Sequence, residues 1–422
     1  MNAPNTAPKT APKTAVASGR RIATAAPADP LFQNYRRAPL AFARGEGCRL
    51  WDTEGREYLD LLAGIATCSL GHGHPGLVSS IQEQAARCLH VSNLFRIPEQ
   101  EEAGRLLVEA SGGRFSRAFF CNSGTEANEA AIKLARRWGS TAEPKRFKVI
   151  STHNAFHGRT LGALAATGTA AYRVGFEPLP EGFVQVPFDD LEALEEALDE
   201  QTCAVLLEGI QGEAGVIPSS PGYLEGVQAL CRERGTLFVL DEIQTAIGRL
   251  GRPFGFQHFG VEPDVITLAK GLGGGVPVGA VLAGEEVAAV LVPGTHGTTF
   301  GGNPLAMAAV IAVQRALREE DLPANAAARG AQLRAGLEAI ADRTGTINQV
   351  RGTGLMLAIE TTAPAAPIAD RCRELGAIVH AVRPTSIRLL PPLVIDEQEV
   401  SEGLGVLEQA LEESRDEAGA GR

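Results

Sequence analysis

The sequence predicts an α/β fold: a large, mostly parallel sheet covered by helices on both faces, with a smaller α+β domain beside it. Three observations carry this expectation. Between about residues 100 and 300, short continuous apolar runs alternate with helical segments, the pattern of strands buried on both faces. After "GGNPLAM" (301–307) the alternation gives way to helical sequence and then to two further strand-like runs. The 422 residues, with 44% hydrophobic and 21% charged, can bury a large core and leave enough chain for a companion domain.

Residues 1–30 are dominated by Ala, Thr and Pro, repeat "TAPKTAPKT" over 6–14, and hold four basic residues and one acid, Asp29. They offer no apolar face to bury, so a disordered tail is expected. Residues 31–74 are expected to form the N-terminal part of the smaller domain, 75–303 the large domain, and 304–422 the remainder of the smaller one. Within 31–74, "CRLWDTEGREYLDLLAG" (48–64) reads as a hairpin through its Asp-x-x-Gly turn. "RAFFCN" (117–122) is a strand. "TEANEAAIKLARRW" (125–138) is a helix with Ala127, Ala131, Leu134 and Trp138 on one side. "KVIST" (148–152) is a strand, "DDLEALEEALDE" (189–200) an acidic helix, and "AVLLEGIQGE" (204–213) a strand and loop. "YLEGVQALCRERG" (223–235) is a helix ended by Gly235. "LFVLDEIQ" (237–244), "DVITLAK" (264–270) and "GAVLAG" (279–284) are three more strands. "VRGTGLMLAIE" (350–360) and "IRLLPPLVI" (387–395) read as strands of the smaller domain.

Composition excludes several classes. A net charge of −11 argues against nucleic acid as a partner, and no run reaches the 18 or so apolar residues of a membrane helix. The seven scattered cysteines form no C-x-x-C and read as reduced thiols, so a cytoplasmic location is expected. "HNAFH" (153–157) has i,i+4 histidines but lacks the glutamate of H-E-x-x-H. No metal is expected, and these histidines read as turn and core residues.

Two strand ends and one helix start carry chemistry. "CNSGTEANE" (121–129) ends a strand and opens a helix, with Ser123 and Glu126 at capping-box spacing. The amides of Gly124 and Thr125 face outward from that helix start and suit a phosphate. Lys270 stands at the mouth of an apolar strand, where lysine is rarely found unless it is used or paired. Asp241 ends another strand 29 positions earlier. Asp241 and Glu242 also match the end of a Walker B strand, but the chain holds no G-x-x-x-x-G-K-[ST] run to complete an ATPase site. Lysine, carboxylate and phosphate cradle are the three parts that a protein supplies to pyridoxal 5'-phosphate (PLP), the lysine as a Schiff-base amine. A buried Asp–Lys ion pair is the structural alternative, and it gives little net stability.

These motifs together resemble the class III, ornithine-type PLP aminotransferases, over about 44–411. The likeness is closest to the acetylornithine branch, through "AFHGRTLGAL" (155–164), "DEIQTAIGRLG" (241–251), "PDVITLAKGLGGGVPVGA" (263–280), "GTHGTTFGGNPLA" (294–306) and "IRLLPPLVI". The resemblance implies PLP fold type I, as in aspartate aminotransferase, and a homodimer with shared active sites. By matched position it makes Lys270 the cofactor-holding and catalytic amine and Asp241 the partner of the ring nitrogen. Gln244 would bond the ring's phenolic oxygen, Phe156 and Ile243 would sandwich the ring, and Gly124 and Thr125 would bind the phosphate. Thr299 would reach a phosphate across the dimer interface, with Thr298 near the substrate. Arg159 would bind the distal carboxylate of either substrate bidentately. Arg388 would bind the carboxylate beside the reacting carbon of glutamate, and Glu213 would mask Arg388 when the donor has none there.

The implied reaction passes the terminal amine of N2-acetyl-L-ornithine to 2-oxoglutarate, giving N-acetylglutamate 5-semialdehyde and L-glutamate in arginine biosynthesis. Alternatives are an aminotransferase for N-blocked lysine or aminoadipate semialdehyde, an ornithine- or 4-aminobutyrate-type ω-aminotransferase, or a PLP-fold binding protein without turnover. Ile65 stands about where ornithine aminotransferases carry an aromatic residue, which favours an acylated α-amine. Two positions depart from the family pattern: Gly209 replaces a proline and Ala246 a glycine. Both put loop geometry beside the site in question.

Overall fold

Among the residues described, seven strands form the central sheet. Their order is Arg117–Cys121, Gly279–Ala283, Val265–Leu268, Leu237–Asp241, Thr202–Glu208, Lys148–Thr152 and Phe183–Val186. Gly279–Ala283 runs antiparallel to both neighbours and the other six are parallel. The three central parallel strands, Val265–Leu268, Leu237–Asp241 and Thr202–Glu208, are buried at every residue. That explains their unbroken apolar sequence, since neither face meets water. The computed structural model describes the backbone of residues 30–420 and the side chains of 30–415. The chain separates into two units, Met1–Ala41 and Phe42–Arg422. In the first, residues 30–41 form no helix or strand, and the expected disordered tail lies outside the described residues apart from Pro30.

In the second unit the hairpin expected at 48–64 is present as Arg49–Asp52 and Glu57–Asp60. Glu57–Asp60 also pairs in parallel with Ala377–Ile378, which ties this early segment to the C-terminal part of the chain. The run 350–360, expected as one strand, belongs to a hairpin of Ile347–Thr353 and Met356–Thr361. "IRLLPPLVI" is a strand only over Ser386–Leu389, because Pro391 and Pro392 have no N–H to give a ladder. The acidic helix is shorter than 189–200: it spans Leu191–Ala197, and the Asp190 carboxylate accepts the Ala193 amide at 2.9 Å. Among the helices without a counterpart in the sequence reading are Pro75–Arg87 and Pro98–Ala110, each opened by proline at its first position. The edge strand Phe183–Val186 was also unanticipated.

One backbone feature is unusual. Ala63, Gly64, Ile65 and Ala66 have φ of 50°, 61°, 65° and 60°, a full turn of left-handed helix. Such a turn is costly for residues with a Cβ, most of all for β-branched Ile65. It is held from one end: the Asp60 carboxylate accepts the amides of Leu62 at 2.9 Å and Ala63 at 2.8 Å, and His72 Nε2 lies 2.8 Å from its other oxygen.

Candidate active site

The parallel strands deliver their last residues to one edge of the sheet, where ligands of such folds sit. Asp241 and Glu208 end adjacent strands and pair with each other in register. Asp241 also pairs with Thr267 on the next strand, and Lys270 follows three residues later at φ 44°, a strained conformation for a lysine. These three residues and Gly124, Thr125, Phe156, Arg159, Ile243 and Gln244 line one cavity of about 360 Å³. That volume falls within the range of small-molecule sites, about 300–1,000 Å³.

Asp241 is buried and its oxygens are spoken for on the protein side. Oδ2 accepts from Asn128 Nδ2 and from His157 Nδ1, both at 2.8 Å, and Oδ1 accepts the Ile243 amide at 3.0 Å. Asn128 is fixed in turn: its Nδ2 donates to the His157 carbonyl at 2.7 Å and its Oδ1 accepts from Thr267 Oγ1 at 2.8 Å. The reading of His157 as an ordinary core histidine is therefore corrected: it is buried, but against the site carboxylate. Asn128 was missed as well. Its position on the helix Gly124–Gly139, one turn after the helix start, was the available signal.

Lys270 opens on the cavity and its amine is pushed down to about 8. Burial is the main cause, and Arg388 adds to it while Glu213, Asp241 and Glu208 oppose it. Burial raises Glu208 to about 7, with Asp241 adding to the rise and His157 opposing it. The Glu208 carboxyl holds the loops on either side of the cavity by accepting the amides of Phe156 and Gly212, each at 3.0 Å.

The helix start at Gly124 is capped by Ser123, whose Oγ accepts the Glu126 amide at 3.3 Å. The reciprocal half of the expected capping box is absent: Glu126 accepts from the amide and side chain of Asn122, at 2.6 and 2.8 Å. Thr125 Oγ1 accepts the amides of Arg159 and Thr160, both at 3.1 Å, which draws that loop over the helix start. Gly158, at φ 136°, makes this approach possible, since a Cβ there would collide with the Thr125 hydroxyl. Ile243 packs onto Gly124, where an added Cβ would lie 2.8 Å from Ile243 Cδ1.

Arg388 lies in the strand Ser386–Leu389 and is fully buried. Its Nη1 donates to Glu213 Oε1 at 2.6 Å, to Gln244 Oε1 at 3.1 Å and to the Gly212 carbonyl at 3.1 Å. Burial pushes the Glu213 carboxyl up, but Arg388, Lys270 and His380 outweigh it and hold it below the usual range. Arg159, by contrast, is exposed. Its guanidinium lies 3.9 Å from the Tyr172 ring centre and 5.5 Å from that of Phe156, and it has no carboxylate partner among the described residues. Tyr172 was not singled out from the sequence.

Thr298 and Thr299 do not line this cavity. Thr298 Oγ1 instead accepts the Gly301 amide at 3.1 Å, and Thr299 is exposed. Ile65 is also outside it; Thr67, just past the left-handed turn, is the residue that faces in. The two departures from the family pattern have local reasons. At Gly209 a Cβ would strike the Phe259 ring, so the ring occupies the space that a proline would need. Ala246 takes an ordinary backbone conformation, and the left-handed residues of that turn are Ile247 and Gly248, so alanine carries no strain there. Among the described residues no group of His, Cys, Asp and Glu is placed to hold a metal ion.

An amine of lowered pKa, a buried carboxylate and a helix start around one cavity define a site for a phosphorylated aldehyde cofactor on a doubly wound sheet. Comparison with known proteins makes the assignment specific: residues 32–411 match the family model "Aminotransferase class-III", and the chain belongs to that family. It is 46% identical over 387 residues to the acetylornithine aminotransferase of Caldanaerobacter subterraneus subsp. tengcongensis, covering 91% of this chain and 98% of that one. It is 49% identical over 375 residues to acetylornithine aminotransferase 1 of Bordetella bronchiseptica, covering 88% and 95%. Among solved structures, the ornithine aminotransferase of Toxoplasma gondii superposes with a TM-score of 0.88 at 36% identity, over 92% of this chain and 94% of that one. The N-acetylornithine aminotransferase of Stenotrophomonas maltophilia gives 0.78 at 39%, over 89% and 96%. The enzyme is a PLP-dependent aminotransferase of fold type I. The cavity fits that cofactor: the buried Asp241 carboxylate and the helix start at Gly124 and Thr125 both line it, and Lys270 is unpaired by any hydrogen bond among the described residues.

Proposed function

We propose that this chain transfers the terminal amine of N2-acetyl-L-ornithine to 2-oxoglutarate, giving N-acetylglutamate 5-semialdehyde and L-glutamate, in arginine biosynthesis. The observation that carries this reading is the unequal state of the two arginines. Arg159 is free of carboxylate partners, while Arg388 is buried and capped by Glu213 at 2.6 Å. An enzyme that alternates between an ω-amine donor and glutamate needs one permanent carboxylate site and one that can be masked. The acetylornithine aminotransferases among its relatives support the choice of donor.

PLP, when bound, supplies an electron sink and carries the amino group between the two half-reactions. The protein's part follows from the residues around it. Lys270 holds the cofactor and moves a proton at the reacting carbon, for which an amine near pKa 8 is partly neutral at physiological pH. Asp241 would hold the ring nitrogen, its orientation fixed by Asn128 and His157. Gly124 and Thr125 would hold the phosphate, Phe156 and Ile243 would wall the ring, and Gln244, beside Arg388, would bond its phenolic oxygen. Arg159 takes the distal carboxylate of either substrate. Glu213 releases Arg388 when glutamate arrives.

The reading extends to a cytoplasmic homodimer with shared sites. All seven cysteines are free, which suits a reducing compartment, and no described helix is long and apolar enough to cross a membrane. Thr298 and Thr299 would serve the partner's site. Supporting this, Leu94, Phe95 and Phe300 are exposed, and Asn93 bonds the carbonyls of Thr298 and Gly301, so these apolar residues lie around the two threonines. Within the second unit we also read residues 42–74 and 304–422 as one smaller domain beside 75–303, on the strength of the pairing between Glu57–Asp60 and Ala377–Ile378.

The test is a spectral titration of the holoenzyme without keto acid, adding N-acetylornithine, ornithine, N-acetyl-lysine or 4-aminobutyrate separately. Loss of the cofactor band at the lowest concentration with N-acetylornithine is expected. A stronger response to another amine overturns the choice of donor. Turnover that survives Lys270→Ala overturns the mechanism.

A further inference from the structure

A second cavity, of about 490 Å³, lies between three helices and shares no lining residue with the Lys270 cavity. Leu106 and Ala110 come from the end of Pro98–Ala110, Leu317 from Pro304–Glu319, and Pro323 and Ala324 from the start of Leu322–Thr344. With Pro253 they give it an apolar floor. Its polar groups are of an unusual kind. Gln314 is 9% exposed and lines the cavity, yet its Nε2 has no acceptor among the described residues. Arg252 and Arg318 stand at the rim, both exposed, and neither has an ion-pair or hydrogen-bond partner among the described residues.

The acceptors close by are already engaged. The Ala110 carbonyl accepts from Gln257 Nε2 at 2.9 Å, and the Glu109 carboxylate is paired with Arg105 at 2.8 Å. A buried amide N–H without an acceptor costs free energy that a hydrogen bond would recover. Two guanidiniums without partners among the described residues stand beside it over an apolar floor. The remaining charge is Asp321, held at φ 49° and also without a side-chain partner among the described residues. It disfavours a ligand with a second negative charge.

We infer that this cavity is a binding site for a small monocarboxylate with an apolar body, its head bonded by Arg252, Arg318 and the Gln314 amide. The inference is independent of which amine the enzyme accepts. The site is also physically joined to the catalytic turns. Val313 and Leu317 flank Gln314 on one helix. Val313 packs against Gly274, in the turn after Lys270, and Leu317 packs against Gly248, in the turn after Gln244.

The experiment is calorimetric titration of the holoenzyme with 4-phenylbutyrate. The active site also takes carboxylates, so the titration is run on wild type and on Arg159→Ala. Saturable binding with a Kd on the order of millimolar is expected in both. The double variant Arg252→Ala/Arg318→Ala, whose side chains are exposed, is expected to bind at least about tenfold more weakly with unchanged transamination. Gln314→Leu, which removes the orphan donor, is expected to weaken binding about three- to tenfold. 4-Phenylbutanol, which has the same apolar body without the carboxylate, is expected to bind at least about tenfold more weakly. Binding that vanishes in Arg159→Ala and survives the other substitutions overturns the inference. So does the absence of saturable heat up to about 20 mM.

Discussion

Arg388 and Glu213 meet at 2.6 Å on the protein's inside, the arginine without any surface exposed to solvent. Its Nε has no partner among the described residues, while Nη1 alone makes three hydrogen bonds. A buried pair of this kind is weak as a device for stability, and removing one partner strands the other's charge. Glu213→Ala is therefore expected to leave Arg388 in search of an anion. The kcat/KM for the ω-amine donor should fall about tenfold while that for glutamate holds or rises, since a charge-assisted bond is worth about 1.5–3 kcal/mol. Steady-state kinetics of the two half-reactions would show it. Equal losses in both would mean that Glu213 does not discriminate between them.

His157 touches neither solvent nor, on its Nε2 side, any acceptor among the described residues; its work is on Asp241. His157→Phe is expected to lower kcat about ten- to a hundredfold with little change in KM, the size of one lost bond to a carboxylate. The pH dependence of the bound cofactor's absorbance should shift as well. His157→Gln, which offers a donor of similar reach, should recover part of both. Unchanged absorbance with lowered activity would make the role a purely packing one.

Lys270 titrates near 8 where a free lysine titrates near 10.4. A lowered amine pKa means that the unfolded chain binds the proton more tightly, so stability rises with pH between these two values. In the cofactor-free protein, Lys270→Met should raise stability at pH 7 by about 1–3 kcal/mol, the cavity's opening to solvent reducing the full linkage figure. The gain should shrink through about pH 8 to 10.4 in denaturant titrations. A pH-independent difference would contradict the lowered pKa.

Glu242 is buried beside Asp241, and burial raises it to about 8. Its oxygens accept the amides of Gly255 at 2.5 Å and Phe256 at 2.7 Å. It folds best protonated, so its contribution is full below the unfolded value of about 4.3 and is lost as pH rises through about 8. Glu242→Gln removes the charge but keeps only one of the two acceptor oxygens, its NH2 facing the other backbone N–H, and should cost about 1–3 kcal/mol at pH 7. Glu242→Ala leaves two buried N–H groups without an acceptor and should cost about 2–4 kcal/mol.

Gly209 and Phe259 fill one space between them. Gly209→Ala should destabilise the fold by about 1–3 kcal/mol through overpacking. Phe259→Leu in the same chain should return part of that loss. Additive losses, measured by a double-mutant cycle, would show that the two positions are independent.

The central strands and Lys270 were legible because burial on both faces leaves a continuous apolar run, and a lysine ending such a run stands out. Asp241 was legible for the same reason. His157 and Asn128 were not, because their meaning depends on a partner 84 and 113 positions away in the chain. Arg388 owed its reading to the family resemblance alone, because its burial depends on Glu213 of the "IQGE" loop, 175 positions away in the chain. The helices Pro75–Arg87 and Pro98–Ala110 did carry a local mark, proline at their first position, that the alternation farther on overshadowed. The left-handed turn at Ala63–Ala66 has no sequence signature beyond Gly64, as it rests on the contacts that Asp60 makes in three dimensions.

The amine and the carboxylate of the site hang from adjacent strands, with Val239, Leu240 and Asp241 paired to Val265, Ile266 and Thr267 in the fully buried middle of the sheet. Amide protons on those strands are expected to exchange with deuterated solvent through global opening, so that their exchange reports the global stability. The spacing between the two groups therefore has no melting point of its own. Wear at the rim, from proteolytic nicks to oxidised loops, can slow substrate traffic while the working distance persists until the entire sheet comes apart.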